Sequence, residues 1–141
     1  MNLPNRVFVD TSFLIALLNS QDMDHAAAVS LQTELTAQKV CKVTSEYILL
    51  ELCDGLAKLR YRHLAVQCVE LLKRDQTFEI IATSGQILQS AWVLFRSRTD
   101  KEWGLTDCTS FVIMQQNHLN TALTTDRHFS QAGFRTLLLE T

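Results

Sequence analysis

The chain has 141 residues, of which 47% are hydrophobic and 20% charged, a balance typical of one globular domain and not of a disordered segment. Its net charge of −2 excludes a strongly basic protein that binds nucleic acid through overall charge, so any such binding must depend on where the cations lie. The sequence carries no secretion signal and no run of roughly 18 apolar residues, so we expect a single domain over residues 1–141 that does not cross a membrane.

The first half of the chain alternates short apolar strands with helices. A buried strand is predicted at residues 6–9, followed by a short core helix at 12–19 and an amphipathic helix at 25–37 with Asp24 as its N-cap. A β-branched strand is predicted at 40–44, a helix with a leucine-rich stripe at 45–60, a further helix at 63–74 and a strand at 78–82.

The second half continues the same alternation. Ser84 is expected to cap a helix that ends near residue 98, and a polar link at 99–104 leads to a helix at 107–117 with Thr106 as its N-cap. Strands are predicted at 121–124 and 135–139. Strands alternating with helices imply a three-layer α/β/α domain whose central, mostly parallel sheet has four or five strands.

Four acidic residues are predicted to meet at one edge of this sheet. Asp10 ends the first strand, Asp126 follows the strand at 121–124, and Asp107 opens the helix that leads back into that strand. Glu51 lies about 10 Å along its helix, and its longer side chain could reach the same edge, with Gly55 leaving room beside it. In open α/β sheets, ligands bind at the carboxyl ends of the strands, which is where these acids are expected.

Each acid taken alone has a structural explanation. The three aspartates could bond the first amides of nearby helices, and Glu51 could be a solvated helix residue. Glu46 is a rival for the position of Glu51, since it also lies in the first turns of its helix. Taken together, four acids at one edge would repel unless a cation neutralised them, and clustered carboxylates suit Mg²⁺ or Mn²⁺. Such a site would hydrolyse phosphodiester bonds with metal-activated water.

The cysteines and histidines do not favour a zinc site. The four cysteines are far apart with no C-x-x-C pair, and no two histidines have the spacing that would place them on one helix face. Three of the cysteines lie in predicted helices, where they act as small hydrophobes. A reducing cytoplasm is the simplest compartment for such a chain.

Four segments of the chain resemble the PIN-domain nucleases, and among them the VapC-type toxins of toxin–antitoxin pairs. They are VFVDTSFLIALLN near the start, ELCDGL, LTDCTSFVIM, and ALTTDRHF near the end. They follow the family's order and extend from Val7 to Phe129. Cys108 stands where many members carry alanine, a change of one small residue for another.

The resemblance implies a metal-dependent endoribonuclease that leaves 5′-phosphate ends, with metal-binding acids at Asp10, Glu51, Asp107 and Asp126. It implies that the polar residues Ser12 and Thr124 steady the site, although a helix cap and an ordinary strand-end threonine explain them equally well. It further implies an RNA substrate, a small antitoxin that inserts a side chain into the acidic site, and a homodimer.

Cations near the acids are candidates for holding the RNA backbone. The best placed group precedes Asp107, and Trp103 beside it could stack on a base, although such a tryptophan more often packs in a core. The candidate contacts are Arg96, Arg98, Lys101, Trp103 and Arg127; a further group is Lys58, Arg60, Arg62 and His63, and His128 follows Arg127. Solvated helix ends explain each group at least as well.

Other α/β families fit less well. A haloacid-dehalogenase-type phosphatase needs an acid at position 12, which is serine here, and a receiver domain needs two adjacent acids after its first strand. A dinucleotide site would need G-x-G-x-x-G at that position. Two alternatives to a toxin remain, an RNA-processing nuclease of the same family and a PIN-fold binding or scaffold module with little activity.

Overall fold

The structure is a computed structural model that describes residues 2–140 of the chain. Five strands alternate with seven helices and end in a 3-10 helix. In chain order they are β1 (Arg6–Val9), α1 (Thr11–Leu18), α2 (His25–Ala37), β2 (Cys41–Ser45), α3 (Glu46–Gly55), α4 (Leu59–Arg74), β3 (Phe78–Ile81), α5 (Gly85–Ser97), α6 (Leu105–Gln116), β4 (Thr121–Leu123), α7 (Arg127–Gln131), β5 (Arg135–Thr136) and the 3-10 helix (Leu137–Glu140).

The five strands form one parallel sheet in the order β3-β2-β1-β4-β5. The chain builds the sheet outward from β1 to one edge through β2 and β3, and then returns to place β4 on the other side of β1. Adjacent parallel strands need helical crossovers, and these cover the sheet on both faces. The predicted three-layer α/β/α architecture is confirmed, with five strands that are all parallel.

The order of the strands reverses between β1 and β4, which pair through Phe8 with Ala122 and Val9 with Leu123. Such a reversal opens a crevice at the carboxyl ends of the two strands, since their following helices go to opposite sides. Asp10 follows β1 directly, and Thr124 to Asp126 follow β4. The fold therefore places the predicted acidic residues at the position where open α/β sheets bind ligands.

The core is built from the apolar strands and the inner faces of the helices. Three of the four residues of β1 have no exposed surface, and Phe129 packs against Phe8 and Phe111 with ring centroids 6.3 and 5.0 Å apart. The short helix α7 was missed from the sequence because five residues give no clear period. Its buried Phe129 fixes this turn to the core, and with it the segment that follows Asp126.

Several predicted boundaries are wrong. The predicted helix at 45–60 ends at Gly55, and α4 begins at Leu59, because Gly55 weakens the helix while the leucine stripe continues across the break. Helix α6 begins at Leu105 with Gly104, and not Thr106, as its N-cap residue. The last strand has two residues paired with β4, and the chain then turns into the 3-10 helix.

The two buried serines Ser45 and Ser110 predict opposite effects on stability. The Ser45 hydroxyl caps α3 by accepting a hydrogen bond from the Ile48 amide at 3.2 Å, whereas the Ser110 hydroxyl in α6 has no partner among the described residues. We expect Ser45→Ala to lower the free energy of unfolding by about 1 kcal/mol. Ser110→Ala should raise it by roughly 0.5–1 kcal/mol, since an unpaired polar group is removed. Urea unfolding of both variants checks this, and a destabilised Ser110→Ala variant would contradict it.

Candidate metal centre

The Asp10 carboxylate is the most enclosed of the four acidic groups. The residue is 4% exposed, and its Oδ2 accepts hydrogen bonds from the Thr124 hydroxyl at 2.7 Å and the Ser12 hydroxyl at 3.0 Å. Asp10 occupies the N-cap position of α1 without a side-chain cap bond, and a hydrogen bond from the Thr11 amide lowers its pKa. Burial raises the pKa of Asp10 to about 6, against the opposing effect of those hydroxyl donors.

Ser12 and Thr124 link Asp10 to the loop that carries Asp126. The Ser12 hydroxyl accepts from the Thr125 amide at 2.9 Å, and the Thr124 hydroxyl accepts from the Asp126 amide at 2.9 Å. The same two hydroxyls that bind Asp10 thus also fix the backbone after β4. These contacts are the kind that would steady the site. The alternative role of Ser12 as a helix cap does not apply, because the N-cap residue of α1 is Asp10.

Glu51 reaches the site through Thr11. The Thr11 hydroxyl donates to Glu51 Oε1 at 2.5 Å, which holds this carboxylate beside the start of α1. Partial burial raises the pKa of Glu51, the bond from Thr11 opposes that rise, and the negative charges of Asp107 and Asp126 add to it. The charge of Glu51 in turn contributes to the raised pKa of Asp10. Thr11 has a part here that the sequence analysis did not identify, although its position directly after Asp10 was the available signal.

Glu46, the rival for the second acid, lies elsewhere. Its Oε1 accepts a hydrogen bond from the Thr83 amide at 2.6 Å, beyond the end of β3. The structure therefore brings Glu51, and not Glu46, to the other acids. Space at Gly55 is not the reason, because a Cβ there would make only an ordinary contact of 3.9 Å with Ile15.

Asp107 and Asp126 meet across a histidine. Asp107 lies in the first turn of α6, and its Oδ2 accepts from the Gly104 amide at 3.1 Å, while Asp126 caps α7 by accepting from the His128 amide at 2.8 Å. The Nδ1 atom of His128 is 2.9 Å from Asp107 Oδ2 and 3.3 Å from Asp126 Oδ1. Partial burial alone would lower the pKa of His128, but the bond to Asp107 and the charges of Asp126, Asp107 and Glu102 raise it overall.

The sequence indicates His128 only as a cation after Arg127, and the structure places its side chain between Asp107 and Asp126. The sequence signal was its position two residues after Asp126. Helix α7 was not predicted, and without the turn into that helix nothing indicated that the side chain would face back toward Asp107.

The residues present fit a divalent cation. The charge of Glu51 raises the pKa of Asp10, and the charges of Asp107 and Asp126 raise the pKa of Glu51, so a cation would relieve this repulsion. Carboxylate oxygens are the donors preferred by Mg²⁺ and Mn²⁺. Ligand atoms of Asp107, Asp126 and His128 also lie within 4.8 Å of one another, which is close enough for one ion.

The candidate RNA contacts differ in whether their side chains are exposed or already packed and paired. Trp103 is 5% exposed, packs edge-to-face on Phe111 at 5.0 Å and donates its indole N–H to Gln131 at 3.0 Å, so it is a packing residue with no face free for a base. Arg98 lies 4.7 Å over the Trp103 ring and is paired with Asp100. Lys101 also pairs with Asp100, at 3.6 Å. The remaining two candidates are exposed: Arg96 and Arg127.

Comparison with known proteins gives a consistent match. A sequence profile of the PIN domain matches residues 7–135. The chain is 28% identical over 128 residues to the 23S rRNA-specific endonuclease VapC20 of Mycobacterium tuberculosis (strain H37Rv), a match that covers 91% of this chain and 95% of that protein. No helix among residues 2–140 has the length and apolar character needed to cross a membrane.

Solved structures show the same fold. The crystal structure of VapC20 from Mycobacterium tuberculosis, described as a sarcin–ricin loop cleaving toxin, superposes with a TM-score of 0.79 and 28% identity over 91% of this chain and 95% of that one. FitAcB from Neisseria gonorrhoeae gives a TM-score of 0.66 at 20% identity, over 92% of this chain and 95% of that one. DNA-bound VapBC from Salmonella typhimurium gives 0.67 at 14%, over 94% and 97%.

Proposed function

Because the chain belongs to the PIN-domain family, we propose that it is a metal-dependent endoribonuclease whose Asp10, Glu51, Asp107 and Asp126 bind Mg²⁺ or Mn²⁺. The observation that supports the proposal is that Asp10 and Asp126 follow the adjacent strands β1 and β4, with Asp107 close to Asp126 across His128 and Glu51 interacting electrostatically with all three aspartates. The similarity to a 23S rRNA-specific endonuclease along nearly the whole chain supports RNA as the substrate.

A divalent ion bound by these acids would supply a water of lowered pKa as the nucleophile and would stabilise the leaving oxygen. The chain's own part is to keep the carboxylates ionised and in place. The Ser12 and Thr124 hydroxyls both donate to Oδ2 of Asp10, and the Thr11 hydroxyl donates to Glu51. No histidine or lysine is needed as a base in such a site.

The exposed cations Arg96 and Arg127 are the proposed contacts to the RNA backbone. Arg127 is the first residue of α7 and lies between Asp126 and His128 in the sequence. Arg98 and Lys101 share Asp100 as a partner, which offsets part of their charge. Backbone contacts of this kind supply affinity without sequence preference.

We further propose that the protein is the toxin of a toxin–antitoxin pair and works in the cytoplasm, where its RNA substrate would be found. The support is the 28% identity to VapC20, whose structure is described as that of a toxin, over 91% of this chain. A small antitoxin partner and a homodimer follow from family membership and stay predictions. Growth arrest on expression, relieved by co-expression of a small protein encoded beside it, would separate a toxin from an RNA-processing enzyme.

The test of the nuclease proposal is incubation of the purified chain with total RNA, with and without EDTA, followed by mapping of the cut ends. We expect cleavage only with Mg²⁺ or Mn²⁺ and ends that carry a 5′-phosphate. The mapped positions would also show whether ribosomal RNA is the substrate. Cleavage that persists in EDTA would contradict the metal-dependent mechanism, and intact RNA under all conditions would favour a binding or scaffold module.

Thermal unfolding provides a separate prediction about the metal. A cation that binds only the folded state stabilises it, by about 1.4 kcal/mol at ten times its dissociation constant. We expect millimolar Mg²⁺ or Mn²⁺ to raise the melting temperature by several degrees, and EDTA to reverse the rise. A melting temperature that stays constant up to saturating metal would argue against a shared cation site.

A further inference from the structure

We propose that His128 is a metal ligand, which binds a divalent cation through Nδ1 together with Asp107 and Asp126, and that this nitrogen ligand makes the site prefer Mn²⁺ to Mg²⁺. The inference rests on the proposed metal-dependent function and deepens it. The four carboxylates alone would give a site of oxygen donors only, which does not favour one of these two ions strongly.

The distances around Nδ1 match those within one coordination shell. Nδ1 lies 2.9 Å from Asp107 Oδ2 and 3.3 Å from Asp126 Oδ1. Neighbouring ligands of an octahedral ion bound at about 2.1 Å are roughly 3.0 Å apart. Both separations are therefore close to the edge of such an octahedron, and the three ligand atoms lie within 4.8 Å of one another. Without a metal, the Nδ1 proton is donated to the Asp107 carboxylate. The ion takes the place of this proton, which leaves Nδ1 for solvent while the neutral imidazole keeps its proton on Nε2.

The local fold fixes the histidine relative to both acids. Asp126 caps α7 through the His128 amide, so Asp126 and His128 belong to one tight turn. The next residue, Phe129, is fully buried between Phe8 and Phe111 and anchors that turn in the core. The His128 side chain is 30% exposed, which leaves it open to an ion that enters from solvent.

A hydrogen-bonding role for His128 would have a different consequence. If the imidazole only donated to the carboxylates, it would help to orient them for Mg²⁺ and Mn²⁺ alike. A direct imidazole ligand discriminates, because Mg²⁺ strongly prefers oxygen whereas first-row transition metals accept nitrogen. The choice of metal therefore distinguishes a ligand from a residue that merely positions the acids.

The test uses the full chain, stripped of metal and titrated separately with Mn²⁺ and Mg²⁺ by calorimetry. Electron spin-echo spectroscopy of the Mn²⁺-loaded protein provides a direct readout of nitrogen coordination. We compare the wild type with His128→Asn, which keeps a hydrogen-bond donor but removes the imidazole, and with His63→Ala, which removes an exposed histidine from α4. Circular dichroism confirms folding, and His128→Gln serves as a second variant.

We expect the wild type to bind Mn²⁺ at least about tenfold more tightly than Mg²⁺ and to show a directly bound ¹⁴N. His128→Asn should lose the ¹⁴N signal and about tenfold in Mn²⁺ affinity, with less than about a threefold change for Mg²⁺, while His63→Ala behaves like the wild type. Mn²⁺ bound without a ¹⁴N signal, or equal losses for both ions, would overturn the ligand assignment alone. Undiminished Mn²⁺ affinity in Asp107→Asn would instead overturn the metal site of the proposed function.

Discussion

Asp10→Asn is expected to reduce RNA cleavage at least about a hundredfold while the protein stays folded. Loss of residues that only support metal ligands already costs about 10–100-fold in activity or metal affinity, and Asp10 is proposed as a ligand itself. Asparagine keeps an oxygen that can accept from Ser12 and Thr124, so the local packing should survive. Cleavage of total RNA at saturating Mg²⁺ or Mn²⁺ measures the effect.

Asp54→Asn is the matched control for this experiment. Asp54 is an exposed residue of α3, one turn beyond Glu51, and it has no part in the proposed site. The same chemical change at Asp54 should leave cleavage within about twofold of the wild type, since exposed charges away from the site contribute little. Wild-type activity in the Asp10→Asn variant would show that Asp10 is not a ligand of the catalytic metal.

Asp10→Asn should also make the metal-free protein more stable at neutral pH. Burial raises the pKa of Asp10 from 3.8 to about 6, so between these values the folded state binds a proton that the unfolded state has released. Stability therefore falls as pH rises from about 4 to about 6, and the ionised Asp10 destabilises the fold by about 3 kcal/mol above that window. The asparagine of the variant does not ionise and would escape this loss.

Urea unfolding in EDTA at two pH values tests this expectation. At pH 7.5 we expect the Asp10→Asn variant to be roughly 2–3 kcal/mol more stable than the wild type, and at pH 4 the two should be nearly equal. Saturating Mg²⁺ or Mn²⁺ should narrow the difference at pH 7.5, because a bound cation offsets the buried charge only in the wild type. A difference of the same size at both pH values would show that burial of the charge is not its cause.

The ionised acids of the site lower the stability of the metal-free protein. Burial and mutual repulsion make the ionised acids unfavourable, and the surrounding hydroxyls compensate only in part. Acidic groups in this state are suited to bind a cation, since the ion removes the repulsion that the fold tolerates without it.

The sequence was sufficient to predict the layers of the fold and the edge at which the acids meet. The alternation of strands with helices determines a parallel sheet, and the carboxyl ends of parallel strands share one edge. Asp10 and Asp126 directly follow strands, so their placement required no knowledge of packing. The position of Glu51 depended on a helix in the middle of the chain, and the resemblance to PIN-domain nucleases decided it over Glu46.

The contacts that the sequence did not reveal depend on tertiary packing. Trp103 is followed by the polar start of a helix, yet it is buried because Phe111, eight residues later, provides an edge-to-face contact. His128 reaches Asp107 only because Phe129 folds α7 onto the core. Thr11 bonds Glu51, which is forty residues away in sequence. Local patterns carry no information about such pairings.

The shared cation is tested most directly by diffraction from crystals of the wild-type protein grown or soaked with Mn²⁺, with anomalous data that locate the ion. We expect a strong anomalous peak in the crevice between β1 and β4, with oxygens of Asp10 and of at least one of Asp107, Asp126 and Glu51 about 2.2 Å away or joined to it through one water. The same crystals of Asp10→Asn should show a much weaker peak. A well-ordered crevice that stays empty at saturating Mn²⁺, or an anomalous peak bound only by residues elsewhere, would show that the four acids do not share a cation.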